Sequence, residues 1–186
     1  MLILASSSPR RAELLRNAGI DFTVHPSHVP EFPANGEAPI DYVRRLAREK
    51  AHAIAAQHPA TFILGADTTV IVDQHMLEKP TDEADTDRML RLLSGRAHQV
   101  TTGVCLITPN GESDVRSETT QVTFSPLSDE EIRFYISTGE PVDRAGAYAI
   151  QGYASRWVTA ISGCYFNVVG LPIPLVYRML TEHRAL

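Results

Sequence analysis

The sequence predicts an α/β fold with a mixed sheet, and three observations carry that reading. In the first half, apolar β-rich runs alternate with segments of helical period. In the second half, a hairpin signal, Pro109-Asn110-Gly111 between two β-rich runs, breaks the alternation, so a purely doubly wound fold is disfavoured. The 186 residues, 44% hydrophobic and 21% charged, suffice for one domain over 1–186 with a substantial core, and lie far from disordered or coiled-coil composition.

Taken in order, Leu2 to Ala5 reads as a first strand, because serines and Pro9-Arg10-Arg11 cut the apolar run too short for a signal-peptide core. Ser8 suits an N-cap, Pro9 the first helical position and Gly19 a stop, giving a helix from Pro9 to Ala18. His25 to Pro39, rich in Pro and Gly, is one long functional loop. Val43, Leu46, Ala47, Ile54 and Ala55 recur at helical spacing over about 40–57, and Phe62 to Val72 reads as a central strand covered on both faces. A third helix spans about Glu83 to Ser94, with Thr81 or Asp82 as its N-cap. The hairpin strands are about 98–108 and 115–124, and Ser128-Asp129-Glu130-Glu131 is a capping box opening a helix to about Thr138. A strand at 156–161 and a helix from about Pro174 complete the pattern. No charge occurs between Arg156 and Arg178, but the prolines, glycines and polar residues within argue for buried core and against a membrane span.

A net charge of −5 and a pI of about 5.8 provide no basic field for a nucleic acid polymer or a lipid surface. Two cysteines, Cys105 and Cys164, without a C-x-x-C pair, fit two core residues in a reducing, cytoplasmic setting. The seven histidines form no H-E-x-x-H, and G-x-x-x-x-G-K-[ST], G-x-G-x-x-G and G-x-S-x-G are all absent. Zinc hydrolase, P-loop, dinucleotide and serine-elbow chemistries therefore have no motif.

What remains points to a local anion site. Ser6-Ser7-Ser8-Pro9-Arg10-Arg11 joins a strand end to a helix start, where backbone N–H groups, the helix dipole and two guanidinium groups converge; a solvated first turn with surface arginines is the plainer reading. Lys50 lies on the apolar stripe Val43, Ala47, Lys50, Ile54, so its ammonium needs an anion unless it snorkels at the flank. Asp67 interrupts an otherwise oily strand, where an unpaired carboxylate is costly unless a cation meets it, and Gly65 before it suggests a bulge that re-aims the side chain. Glu31 is a second carboxylate in the Pro-rich loop, and Lys79-Pro80 puts an ammonium near a helix start. Asp143 to Gly152, DRAGAYAIQG, has small residues that permit close backbone approach, either to a ligand or across a tight structural crossing, and Gln151 offers an amide suited to a nucleobase edge.

The motifs SSSPRR, Glu31, Arg48-Glu49-Lys50-Ala51, Gly65-Ala66-Asp67-Thr68, Glu78-Lys79-Pro80, Ser94-Gly95-Arg96 with His98 and Val100, and DRAGAYAIQG, in this order, resemble the Maf family of nucleoside triphosphate pyrophosphatases over essentially the whole chain. The GAYAIQG segment is similar to the branch acting on dTTP and UTP, the alternatives being 7-methyl-GTP as substrate or a non-catalytic nucleotide sensor in septum formation. Where that family usually has lysine this chain has Arg144, and where it often has glycine this chain has Ser7. The resemblance implies an α/β fold with a mixed twisted sheet, flanking helices and a deep nucleotide cleft between two lobes. It also implies a homodimer, and a divalent cation, Mg2+ or Mn2+. Asp67 is then the catalytic carboxylate and shares the metal with Glu31. Ser8, Arg10, Arg11, Lys50 and Lys79 bind the triphosphate, while Arg10, Thr68 and Gln151 bear on substrate choice.

Overall fold

The computed structural model describes residues 1–186. β1 (Leu2–Leu4) leads into α1 (Pro9–Asn17), then β2 (Thr23–Val24), α2 (Pro39–Ala55), β3 (Phe62–Val72), β4 (His75–Leu77) and α3 (Glu83–Leu93). The hairpin β5 (Ala97–Ile107) and β6 (Ser113–Phe124) follows, then α4 (Asp129–Ser137), β7 (Val158–Ser162), α5 (Tyr165–Val169) and α6 (Ile173–Glu182). The sheet has seven strands in the order β2-β1-β3-β5-β6-β7, with β4 paired to β3. β1 is parallel to β2 and β3, whereas the β3–β4 and β6–β7 pairs are antiparallel, so the sheet is mixed. The expected elements are all present within a few residues. β2, β4 and α5 are additional, and at two to five residues they are too short to display a period.

The chain folds into two compact units, the first made of residues 1–68, 102–118 and 170–186 and the second of 69–101 and 119–169. In the first unit the pleat sorts side chains to two cores. Leu2, Leu4, Leu64 and Ala66 pack with Leu15 of α1 and Val176, Met179 and Leu180 of α6, while Ile3, Ala5 and Ile63 pack with Ala47, Ala51 and Ile54 of α2. Position 65 shares the face of Ile63, and a Cβ built there lies 2.2 Å from the carbonyl oxygen of Ala47. Gly65 therefore lets α2 lie directly on β3. The odd-numbered alternation Ile63, Gly65, Asp67 already turns Asp67 toward α2, so its aim does not depend on the bulge that the glycine suggested.

Ser8 does occupy the N-cap position of α1, but its hydroxyl makes no cap bond; instead its N–H donates to Ser6 Oγ at 3.2 Å. Asp82, by contrast, caps α3 through Asp85 N, and Ser128 and Glu131 form the expected capping box on α4.

In the second unit Val70, Leu77, Met89, Leu90, Phe124, Tyr135, Tyr148 and Trp157 belong to one buried cluster. The uncharged stretch after Arg156 is only in part the buried core expected. Thr159 to Ser162 are exposed, as are Tyr165 and Phe166, because β7 ends the sheet and has β6 as its one neighbour. Cys164 is likewise half-buried, unlike Cys105, whose thiol burial raises to about 12.

His98 lies in this second core, with Nε2 2.9 Å from the Tyr148 hydroxyl and its ring edge-on to Phe124 and Tyr148. Its Nδ1 is buried without a partner, and desolvation lowers its pKa to about 4. Because the folded-state pKa lies below the unfolded value, the unfolded chain binds the extra proton. His98 therefore imposes no penalty above about pH 6.5, and stability is lost as pH falls from there toward 4. About 2 kcal/mol should disappear between pH 7.5 and 5. Urea unfolding at the two pH values reads this, and His98→Gln should remove that part of the pH dependence.

Candidate functional site

The centre of the first unit is a buried ion cluster. Lys50, on the face of α2 that also carries Ala47 and Ile54, is only 5% exposed, and its Nζ lies 2.5 Å from Asp67 Oδ1 and 2.5 Å from Glu31 Oε1. The anion required by a lysine on an apolar stripe is thus supplied twice, once from β3 and once from the loop before α2. Asp67 is equally buried, and its pKa is raised: desolvation is the largest cause, Glu31 adds to it, and Lys50 and Arg11 offset it in part. Asp67 Oδ2 has no hydrogen-bond partner, so one oxygen is anchored and the other is available.

Arg11, buried at 9% exposure, turns inward from α1. Its Nε donates to Gly170 O at 2.8 Å, Nη1 to Ser6 Oγ at 3.2 Å and Ala66 O at 2.9 Å, and Nη2 to Thr68 Oγ1 at 3.0 Å. Four of its five N–H bonds are thereby committed to neutral acceptors, so the guanidinium locks α1 to the end of β3 while its charge acts on Asp67. Thr68 Oγ1 also lies 2.9 Å from Thr102 Oγ1. Arg10, next to it in α1, is half-buried.

The loop that carries Glu31 is held in place by contacts with no signal in the local sequence. Arg45 of α2 clasps both carboxylate oxygens of Glu37 at 2.7 Å, donates to the carbonyl of Phe32 at 3.0 Å and pairs with Glu49 at 3.2 Å. This clasp holds Glu37 well below the usual carboxylate range, at about 2, with the Arg45 hydrogen bonds as the main cause. The loop residue next to Glu31 is thus tied to the helix that presents Lys50. The i, i+4 pair Arg45 and Glu49 was visible; the reach to Glu37 and Phe32 is a tertiary contact with no local signal. Thr102 and the Gly170 carbonyl were missed for the same reason.

The remaining predicted residues belong to the second unit. Lys79 is exposed and pairs with Asp143 at 2.7 Å, and Gln151 is exposed. For the glycines of DRAGAYAIQG the tight structural crossing is what is found. A Cβ at Gly146 would meet Val70 at 2.8 Å, and one at Gly152 would meet the Glu140 carboxylate at 2.4 Å.

The residues present fit a divalent cation. Asp67 Oδ2 is a buried, partnerless hard oxygen, and the half-exposed Glu31 carboxylate, 38% open, is a second. One or two carboxylates completed by water and phosphate oxygens is the set that Mg2+ or Mn2+ favours.

A family model described as "Maf-like protein" matches residues 1–183. A Koribacter versatilis protein named "dTTP/UTP pyrophosphatase" is 63% identical over 179 residues, covering 96% of this chain and 92% of that one. A Symbiobacterium thermophilum protein of the same name is 51% identical over 181 residues, covering 97% and 93%. Among solved structures, the Staphylococcus aureus Ham1 protein aligns with a TM-score of 0.53 over 97% of this chain and 98% of that one at 14% identity. A HAM1 protein from Coxiella burnetii aligns with a TM-score of 0.51 over the same shares at 15%. Identities this low speak to the fold alone, which these two proteins share with the chain.

Proposed function

We propose, from the premise that this chain belongs to the Maf-like protein family, that it is a nucleoside triphosphate pyrophosphatase that hydrolyses dTTP and UTP to the monophosphate and pyrophosphate. The observation that carries the chemistry is the buried pair Asp67–Lys50 with a free Asp67 oxygen. Hydrolysis of a phosphoanhydride needs a base for the attacking water and cations for the charge that spreads over the phosphoryl oxygens. Asp67 is the proton acceptor of this reading, and Lys50 and Arg11 favour its ionised form against the burial that raises its pKa.

Glu31 and Asp67 are our ligands for a divalent cation, Mg2+ or Mn2+, which on binding supplies positive charge to phosphate oxygens. The requirement follows from the local balance, since Lys50 and Arg11 are already matched by Asp67 and Glu31 and leave little surplus for a triphosphate. Ser8, Arg10 and Arg11 at the start of α1 are the residues of the first unit assigned to the phosphates, with Lys79 assigned to the same task in the second. Thr68 and Gln151 are assigned to base selection, by analogy with the positions they hold in the motifs. A cytoplasmic homodimer is part of the same reading, and no helix is long and apolar enough to cross a membrane.

A panel of nucleoside triphosphates, incubated with the protein and Mg2+ or Mn2+ while pyrophosphate is counted, tests the assignment. dTTP and UTP should be turned over in preference to purine nucleotides. Preferential turnover of 7-methyl-GTP, or no release from any member, overturns it.

A further inference from the structure

Arg144 is a half-buried charged side chain of the second unit. It follows Asp143 in DRAGAYAIQG, and its Nε and Nη1 are buried with no hydrogen-bond acceptor. The adjacent Asp143 pairs with Lys79 at 2.7 Å. Desolvation lowers the guanidinium pKa, and no acidic neighbour offsets it. Nearby backbone is also held in costly conformations. Asp143 and Ala147 have φ of 60° and 61° without being glycine, and Gly146 at 67° donates its N–H to Glu78 O at 3.1 Å.

A half-buried guanidinium with two nitrogens shielded from water and three N–H bonds lacking acceptors is unfavourable for folding and is retained where something else supplies the oxygens. A neutral carbonyl would satisfy hydrogen bonds but leave the charge unmatched, whereas a phosphate oxyanion satisfies both. We infer that Arg144 binds phosphate oxygens of the nucleotide and of the pyrophosphate product, as a substrate-contacting residue of this reaction. The inference rests on the pyrophosphatase reading for its substrate, though not for its ligand class.

The test is calorimetric titration of inorganic pyrophosphate, in the presence of Mg2+, into the full-length protein and its Arg144→Met and Arg144→Lys variants. KM for dTTP and thermal unfolding are measured alongside. Loss of charge-assisted bonds should weaken pyrophosphate binding and raise KM by roughly 10- to 100-fold in Arg144→Met. Arg144→Lys should recover much of the affinity. The melting temperature of Arg144→Met should hold or rise, because a partnerless cation has been removed. Pyrophosphate affinity and KM unchanged in Arg144→Met, or a fall in melting temperature with affinity unchanged, overturns the inference. Should the methionine variant fail to fold, Arg144→Gln is read by the same criteria. If the native protein releases no pyrophosphate from dTTP, the pyrophosphatase reading fails, while titration of pyrophosphate still decides Arg144 independently.

Discussion

Asp67→Asn is expected to lower pyrophosphate release from dTTP roughly 1,000-fold, about 4 kcal/mol of transition-state stabilisation, with nucleotide binding still measurable. The amide matches the carboxylate in size and keeps an oxygen for Lys50 Nζ, which also retains Glu31 at 2.5 Å. The fold should therefore persist while the proton acceptor is gone. The same side chain sets the acid limb of the native pH profile. Burial raises the Asp67 pKa, and the reaction uses the ionised form. Activity is thus present above that raised pKa and lost as pH falls through it, at a pH above the ordinary aspartate value of about 3.9. Steady-state kinetics over pH 4 to 8 and a binding isotherm for the variant decide the matter. Release within 10-fold of native would reassign the base.

The second large effect is structural. Gly65→Ala should destabilise the protein by about 3 kcal/mol or more, lowering the melting temperature by roughly 10 °C. The new Cβ falls 2.2 Å from the Ala47 carbonyl and 2.9 Å from both the backbone nitrogen and the Cβ of Ala51, all on a helix that cannot swing a side chain aside. Because α2 also carries Lys50, relief by moving the helix separates the ammonium from Asp67, so activity should fall together with stability. Gly103→Ala, whose Cβ would lie 2.2 Å from the Val43 carbonyl, should behave alike through the same helix. Thermal denaturation of the two variants checks this; melting within 2 °C of native for both would show that α2 yields at little cost.

Much of the candidate site could be read from the chain because its signals are local. Asp67 stands out by interrupting an eleven-residue apolar strand, and Lys50 by falling on the apolar stripe of a helix whose period fixes its face. Capping at Ser128 and the turn at 108–112 are decided by residues within a few positions of one another, so strand and helix limits emerged within a few residues. Ser8 shows the limit of such reasoning, since the right residue at the N-cap leaves its cap bond unmade.

What the amino-acid order determined by itself was the type of each long element, the face of α2 that Lys50 takes, and the need of Lys50 and Asp67 for opposite charge. Only the tertiary structure decided who answers that need. Lys50 meets Asp67 across 17 residues of sequence, and Arg11 spends its donors on Ala66, Thr68 and Gly170, which are 55, 57 and 159 residues away. Packing likewise made Gly65 a contact point for α2 and left β7 at the sheet edge. The physical reason is range. Period and capping act over one turn or one pleat, whereas the partner of a buried charge is chosen by which surfaces come together when the apolar faces close.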